Sequence, residues 1–197
     1  MEGLAWLDVI KIAAGSGVVA AVFNVIFSAV KESLQRKEQR RLDAEFDAIH
    51  LISKLDALAV ECANNFWIFH QAWGQARGTI HEKDVPGCSK PDVTIDAGSL
   101  AKIDRSIACR IAWLENDVSL GDNGIRARWE AYMDGYEASE CYADLVGYYG
   151  YEALLISKAL REKYSLTHAG AGWGMPKIEE QLKTCSENTK KLFKDDD

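Results

Sequence analysis

Residues 12–30 read IAAGSGVVAAVFNVIFSAV, nineteen consecutive positions without a charge. As an α-helix rising about 1.5 Å per residue the run extends about 28 Å, against a bilayer hydrocarbon thickness of about 30 Å. Its flanks are unequal. Lys31, Arg36, Lys37, Arg40 and Arg41 follow it against Glu32 and Glu38, whereas residues 2–11 hold only Lys11 against Glu2 and Asp8. Cationic flanks stay in the cytoplasm, so the run predicts a single transmembrane helix, amino terminus outside and everything after it cytoplasmic. Trp6 suits the headgroup level, and the five cations that follow the run are the expected lipid-headgroup contacts, each worth about 1 kcal/mol close to an anionic surface.

Two other readings compete for the same residues. A cleavable signal peptide wants a positive leading region, a shorter apolar core and small residues before the cut. Here the leading region is acidic, and Phe27 stands where a small residue should precede Ala29. A buried helix of a soluble protein is the stronger rival, because Gly15, Ser16, Gly17 and Asn24 dilute the run. Within the run Ala13, Gly17 and Ala21 recur every four residues, with Ala20, Asn24 and Ser28 as a neighbouring stripe. Small residues let helix backbones approach and Asn24 can hydrogen-bond across a pair, so Ala13, Gly17, Ala21 and Asn24 are the expected packing face of a homo-oligomer.

After Val30 the pattern stays helical. Leu42, Phe46, Ile49, Ile52, Leu55, Ala59, Cys62, Phe66, Phe69 and Trp73 advance by steps of three and four, about 3.4 on average, as in a bundle or coiled-coil seam. With no Pro or Gly between Gly17 and Gly74, the membrane helix is expected to continue as a stalk over 31–74. Residues 75–98 hold Gly78, Pro86, Gly87, Pro91 and Gly98 and read as a long mobile loop. The remainder, 99–197, reads as further bundle helices. One starts at a cap of Ser99 or Asp96, carries Leu100, Ile103, Ile107, Ile111, Leu114 and Val118 on one face, and ends at Gly121–Gly124. A second begins near Ile125, is open to bending at Gly147 and Gly150, and stops before Gly170; a third opens at Pro176 and carries Lys190, Lys191 and Lys194 at its far end. Nothing alternates as strands do beyond the short DVTID at 92–96. The fold class is therefore all-α: residues 1–30 form the tail and transmembrane helix, continuing into a cytoplasmic bundle of about four helices.

Acidic residues number 30 against 23 basic, a formal charge of −7 that argues against nucleic acid as a partner. The five cysteines, Cys62, Cys88, Cys109, Cys141 and Cys185, are an odd set without a CxxC pair, as expected of free thiols in a reducing compartment. Cys88, in the loop, is the expected exposed thiol.

Catalytic parts are scarce. Asp47 and His50 are spaced as in carboxylate-bridged di-metal bundles, but such a site needs the motif twice and two further carboxylates, and no second carboxylate-x-x-His occurs. His70 sits beside the apolar seam and reads as a packing histidine. The glycine-rich 170–174 lacks the Lys-Ser/Thr ending of a phosphate loop and follows no strand. No GxSxG, HExxH or zinc spacing appears, so no cofactor, metal or catalytic residue is expected.

Residues 112–152 hold nine acidic side chains against Arg126 and Arg128, together with eight Trp and Tyr. Aromatic anchors in charged surroundings suit an interface, so Trp129, Tyr132, Tyr136, Glu137 and Glu140 are the expected surface for a basic protein partner. The composite expectation is a membrane-anchored interaction or scaffold module without catalysis. Its rivals are a membrane-permeabilising effector whose spans oligomerise, and a metal-dependent bundle enzyme built on Asp47 and His50.

Overall fold

The computed structural model describes residues 17–79, 85–131, 135–167 and 174–194, with burial given from residue 21 onward. Every regular element among them is helical: α1 Gly17–Ala76, α2 Ala97–Leu100, α3 Arg105–Ala131, α4 Gly135–Tyr164 and α5 Met175–Leu192. The chain divides into two compact units, Met1–Asp43 and Ala44–Asp197. The boundary falls inside α1, within the expected stalk.

In the first unit, all side chains from 21 to 43 are exposed. Among the described residues no helix is long and apolar enough to cross a membrane. The described part of the uncharged run is 17–30; its first five residues, with Ala13, lie outside the described residues.

The second unit is a helical bundle of four long segments: the part of α1 from Ala44, then α3, α4 and α5. α4 packs against both α3 and α5. Its core includes Leu51, Leu55 and Cys62 of α1, Ile125 of α3, Tyr149, Ile156 and Leu160 of α4, and Leu182 and Cys185 of α5, each at most 1% exposed. Gly147 and Gly150 do not interrupt α4; they let its neighbours close in. A Cβ at Gly147 would overlap the Cys185 side chain, and one at Gly150 would lie 2.7 Å from Cys62 Cβ.

Three expectations need correction. The α1 seam holds at Ile52, Leu55, Ala59, Cys62 and Phe69, but Leu42, Phe46 and Ile49 are exposed, and Ala44, Ala48 and Leu51 take the buried stripe. The reason is angular. Three successive steps of three, Phe46 to Leu55, each fall about 60° short of a full turn, so Phe46 ends up on the opposite side of the helix from Leu55.

Helix α3 runs straight through Gly121–Gly124 to Ala131 and carries Ile125 fully buried, so the expected break there does not occur. Those glycines face packed side chains: a Cβ would come within 2.6 Å of Leu145 Cδ1 at Gly121 and 2.5 Å of Phe193 Cε1 at Gly124. The preceding segment is two helices, not one. Asp96 caps α2 by accepting from the Ser99 N–H at 3.0 Å, and Asp104 then starts α3, its Oδ1 accepting from the Ser106 N–H at 2.9 Å and hydroxyl at 2.6 Å.

Residues 85–96 carry no regular secondary structure but are held down. Lys54 Nζ donates to the Thr94 carbonyl at 2.7 Å and Asn65 Nδ2 to the Ser89 carbonyl at 2.9 Å. Thr94 is held at Lys54 and Ser89 at Asn65, so the segment runs antiparallel along α1. Within it Pro91 is buried, and Cys88, Val93 and Ile95 pack on the core. Two side-chain donors on α1 thus hold carbonyls of the loop that the sequence led one to expect as mobile.

Candidate functional site: the exposed first helix and the polar seams of the bundle

Between Ala21 and Val30 the large apolar side chains are Val22, Phe23, Val25, Ile26, Phe27 and Val30, between 52 and 71% exposed. At about 100° per residue they cover an arc of about 200°, twice the stripe with which a surface helix faces a core. Ala21, Asn24 and Ser28 fill the remaining arc, and none is charged.

The cations that follow differ in their commitments. Arg36 pairs with Glu32 at 2.5 Å and Arg41 with Glu38 at 2.9 Å, all four side chains solvent-facing. Lys31, Lys37 and Arg40 are exposed on the same helix. Ala29 and Ser33 share a face with Arg36, Lys37 and Arg40, and the small side chains leave a groove of about 330 Å³ beside the cations.

Of the expected partner surface, Trp129 is 49% and Tyr136 37% exposed, Glu137 is exposed and Glu140 half-buried, while Tyr132 lies outside the described residues. The Tyr136 hydroxyl donates to Glu140 Oε1, and its ring stands edge-on to Trp73 with centroids 4.7 Å apart. The patch thus draws in Trp73 from the end of α1. Much of the acidic and aromatic segment is turned inward. The Tyr148 hydroxyl donates to Asp117 at 3.1 Å, and the Tyr149 hydroxyl to Glu115, which also receives Lys90 Nζ at 2.7 Å. Burial, with the Glu115 carboxylate as acceptor, holds the Tyr149 hydroxyl well above the ordinary tyrosine range. For Glu115, burial works upward but is outweighed by the hydrogen bonds from Lys90 and Tyr149, so its carboxyl ends below the usual value.

Asp47 and His50 do not assemble. Asp47 faces Lys102 Nζ at 3.0 Å and His50 is exposed, and no group of three His, Cys, Asp or Glu side chains capable of holding a metal occurs among the described residues. His70 is exposed, with the Phe66 ring tilted against it at 4.3 Å between centroids and the Phe69 ring edge-on at 5.3 Å, so it is not the buried packing histidine expected. The expected exposed thiol, Cys88, is half-buried, and burial raises it to about 11; Cys109 is the exposed one, while Cys62 and Cys185 are buried.

One polar cluster went unread in the sequence. Asp56 of α1 accepts from the Ser157 hydroxyl at 2.6 Å and takes the Arg161 guanidinium on both oxygens, and Arg161 also donates to Ser157. Ser157 is fully buried and Arg161 7% exposed. The signal was present, since Ser157 and Arg161 interrupt an otherwise apolar face of α4 at i,i+4 spacing. The arrangement fixes α4 against α1; it holds no nucleophile beside a free base.

No known protein family, curated protein or solved structure matches this chain.

Proposed function

We propose that the chain is a membrane-anchored helical interaction module. The uncharged run 12–30, of which only 17–30 belong to the described part of α1, would cross the bilayer once with the amino terminus outside, and the bundle presents the patch around Trp73, Trp129 and Tyr136 to a protein partner on the cytoplasmic side. The observation that carries the reading is the exposed apolar arc of about 200° on α1, contiguous with the cations from Lys31 onward. A helix that wide in apolar surface needs an apolar surrounding.

Magnitudes favour lipid. Val18, Val19, Val22, Phe23, Val25, Ile26, Phe27 and Val30 each contribute about −0.3 to −0.6 kcal/mol near a helix centre, together roughly −2.5 to −5 kcal/mol, whereas one lysine there costs about +3. That gain is small, and Asn24 and Ser28 count against it. The narrow arc of Ala21, Asn24 and Ser28 adds a route to stabilise insertion by contact with a second copy. Tethering and contact, not catalysis, are the activity. An acidic bundle would be repelled by anionic lipid, whereas Lys31, Lys37 and Arg40 attract it, which orients the two parts of the chain chemically.

The test is fractionation of cells expressing the full chain or Phe27→Lys. The parent is expected in the membrane pellet and the variant in the supernatant, because a single lysine cancels most of the insertion free energy. A parent recovered in the supernatant without detergent overturns the reading. An impermeant maleimide on the exposed Cys109 then assigns the sides: labelling in inverted vesicles and not in intact cells is expected.

A further inference from the structure

Within the bundle, the core stripe of α1 has a counterpart on the other side of the helix. Phe46, Ile49, Val60, Trp67 and Ile68 fall within an arc of about 100°, half a turn away from Ala48, Leu55 and Cys62. No Asp, Glu, Lys or Arg between residues 44 and 71 lies in that arc. Phe46, Ile49, Trp67 and Ile68 are between 49 and 73% exposed, and Val60 is half-buried. The width is that of a helix facing a packed partner, unlike the broad arc from Val22 to Val30. A side chain of this size carries about 200 Å². The four exposed fractions therefore come to about 500 Å² per copy, and two such faces laid together remove about 1,000 Å² from water, where specific interfaces begin.

The charges beside the stripe say which partner fits. Lys54 and Glu61 share one flank, Glu45 and His70 the other. Counted outward from the point between Ala57 and Leu58, they invert: Lys54 and Glu61 stand equally far on either side, and so do Glu45 and His70. Neither Glu45 nor Glu61 has an ion-pair partner among the described residues. Lys54 gives one N–H to the Thr94 carbonyl at 2.7 Å and keeps two.

We propose that this outer face of α1 is the contact with a second copy of the chain, running antiparallel about Ala57. In that arrangement like flanks meet, so Lys54 of each copy reaches Glu61 of the other, and His70 donates to Glu45. Each contact occurs twice, as a two-fold interface requires. A parallel pair brings unlike flanks together, and the group nearest Glu61 is then Asp56, itself an acid. The bulky residues stand at the two ends of the stripe, Phe46 and Ile49 against Trp67 and Ile68, while the small Ser53 and Ala57 let the helices cross closely at its middle. The residue 44 ends of the pair lie about 40 Å apart at opposite ends. Anchored chains meet this way across two facing membranes, not side by side in one.

Cross-linking of the full chain in mild detergent tests this, with Cys109→Ser, which removes the exposed native thiol, as background and blank. His50→Cys and Asn64→Cys change exposed positions at nearly equal distances from the axis, and neither carries the contact. With a short bismaleimide the two variants, one bearing a size tag, are expected to link to each other when mixed and not to themselves. Trp67→Glu in both chains abolishes the link and leaves thermal unfolding unchanged. Glu61→Lys weakens association about fivefold, read from the concentration dependence of the yield, and Lys54→Glu/Glu61→Lys recovers it. No mixed link, His50→Cys chains linking to one another instead, or a mixed link that survives Trp67→Glu overturns the proposal. The same link is read without detergent if the chain proves soluble, so failure of the anchoring leaves the test intact.

Discussion

Helix α1 contains two regions built on opposite logic. From Ala21 to Asp43 every side chain is exposed; from Ala44 to Phe69 a stripe of Ala48, Leu51, Leu55, Ala59 and Cys62 is buried, with charged residues such as Lys54 and Glu61 between its members. The backbone is the same and the hydrogen-bonding ladder is the same. What differs is how apolar side chains are distributed in angle, and that decides which solvent each region requires. A narrow stripe selects a protein core; in the proposed function, the arc of about 200° followed by a cationic segment is what lipid would take up.

The comparison can be broken most severely at Asp56. Asp56→Ala leaves the nearly buried Arg161 without its carboxylate and is expected to cost about 3 kcal/mol in urea unfolding followed by tryptophan fluorescence, with Asp56→Ala/Arg161→Met recovering much of it. Its counterpart in the exposed region, Arg36→Ala, breaks an ion pair too, yet should change stability by less than about 0.5 kcal/mol. Leu55→Ala empties a fully buried site and is expected to cost about 3 kcal/mol, while Phe27→Ala, 71% exposed, leaves bundle unfolding unchanged. Gly147→Ala pushes a methyl into Cys185 and should cost about 1–3 kcal/mol, since the contact is with the side chain of a packed helix.

The smallest expected effect is a pH dependence. Hydrogen bonds from the Ser106 side chain, then from Lys163, with the Ser106 and Ile107 N–H groups, hold the Asp104 carboxyl well below the usual carboxylate range. Its folded pKa is lower than its unfolded value of about 3.9, so its contribution is complete above that value and is lost as pH falls below it. Asp104→Asn should therefore be less stable than the parent at pH 7, with the gap closing as pH is lowered through about 4. A gap that stays constant from pH 7 to pH 3 would assign the effect to cap geometry alone.

The all-helical class was legible because apolar residues recur at three and four over most of the chain and alternate only in the short DVTID at 92–96. Element ends were less so. Gly121 and Gly124 carry the turn chemistry of a helix stop, and only the proximity of Leu145 and Phe193, which no local pattern encodes, explains why they serve packing. Phe46 was misplaced because counting steps of three as equivalent to steps of four ignores a drift of about 60° per step. The tethered 85–96 segment was read as mobile because its anchors, Lys54 and Asn65, lie on another element. Of the expected partner surface, Trp129 and Tyr136 are exposed and Trp73 joins from α1, while the tyrosines at 148 and 149, outside that surface, spend their hydroxyls on α3. Long-range pairings of that kind leave no trace in spacing.

Alkaline carbonate extraction of membranes carrying the full chain addresses the central claim most directly, since it strips proteins held by charge or by a partner and leaves those held by lipid tails. The account predicts that the chain stays in the pellet and is released only by detergent. Release into the carbonate supernatant would mean that the apolar arc of α1 is covered by protein, and the tethering role would fall with it.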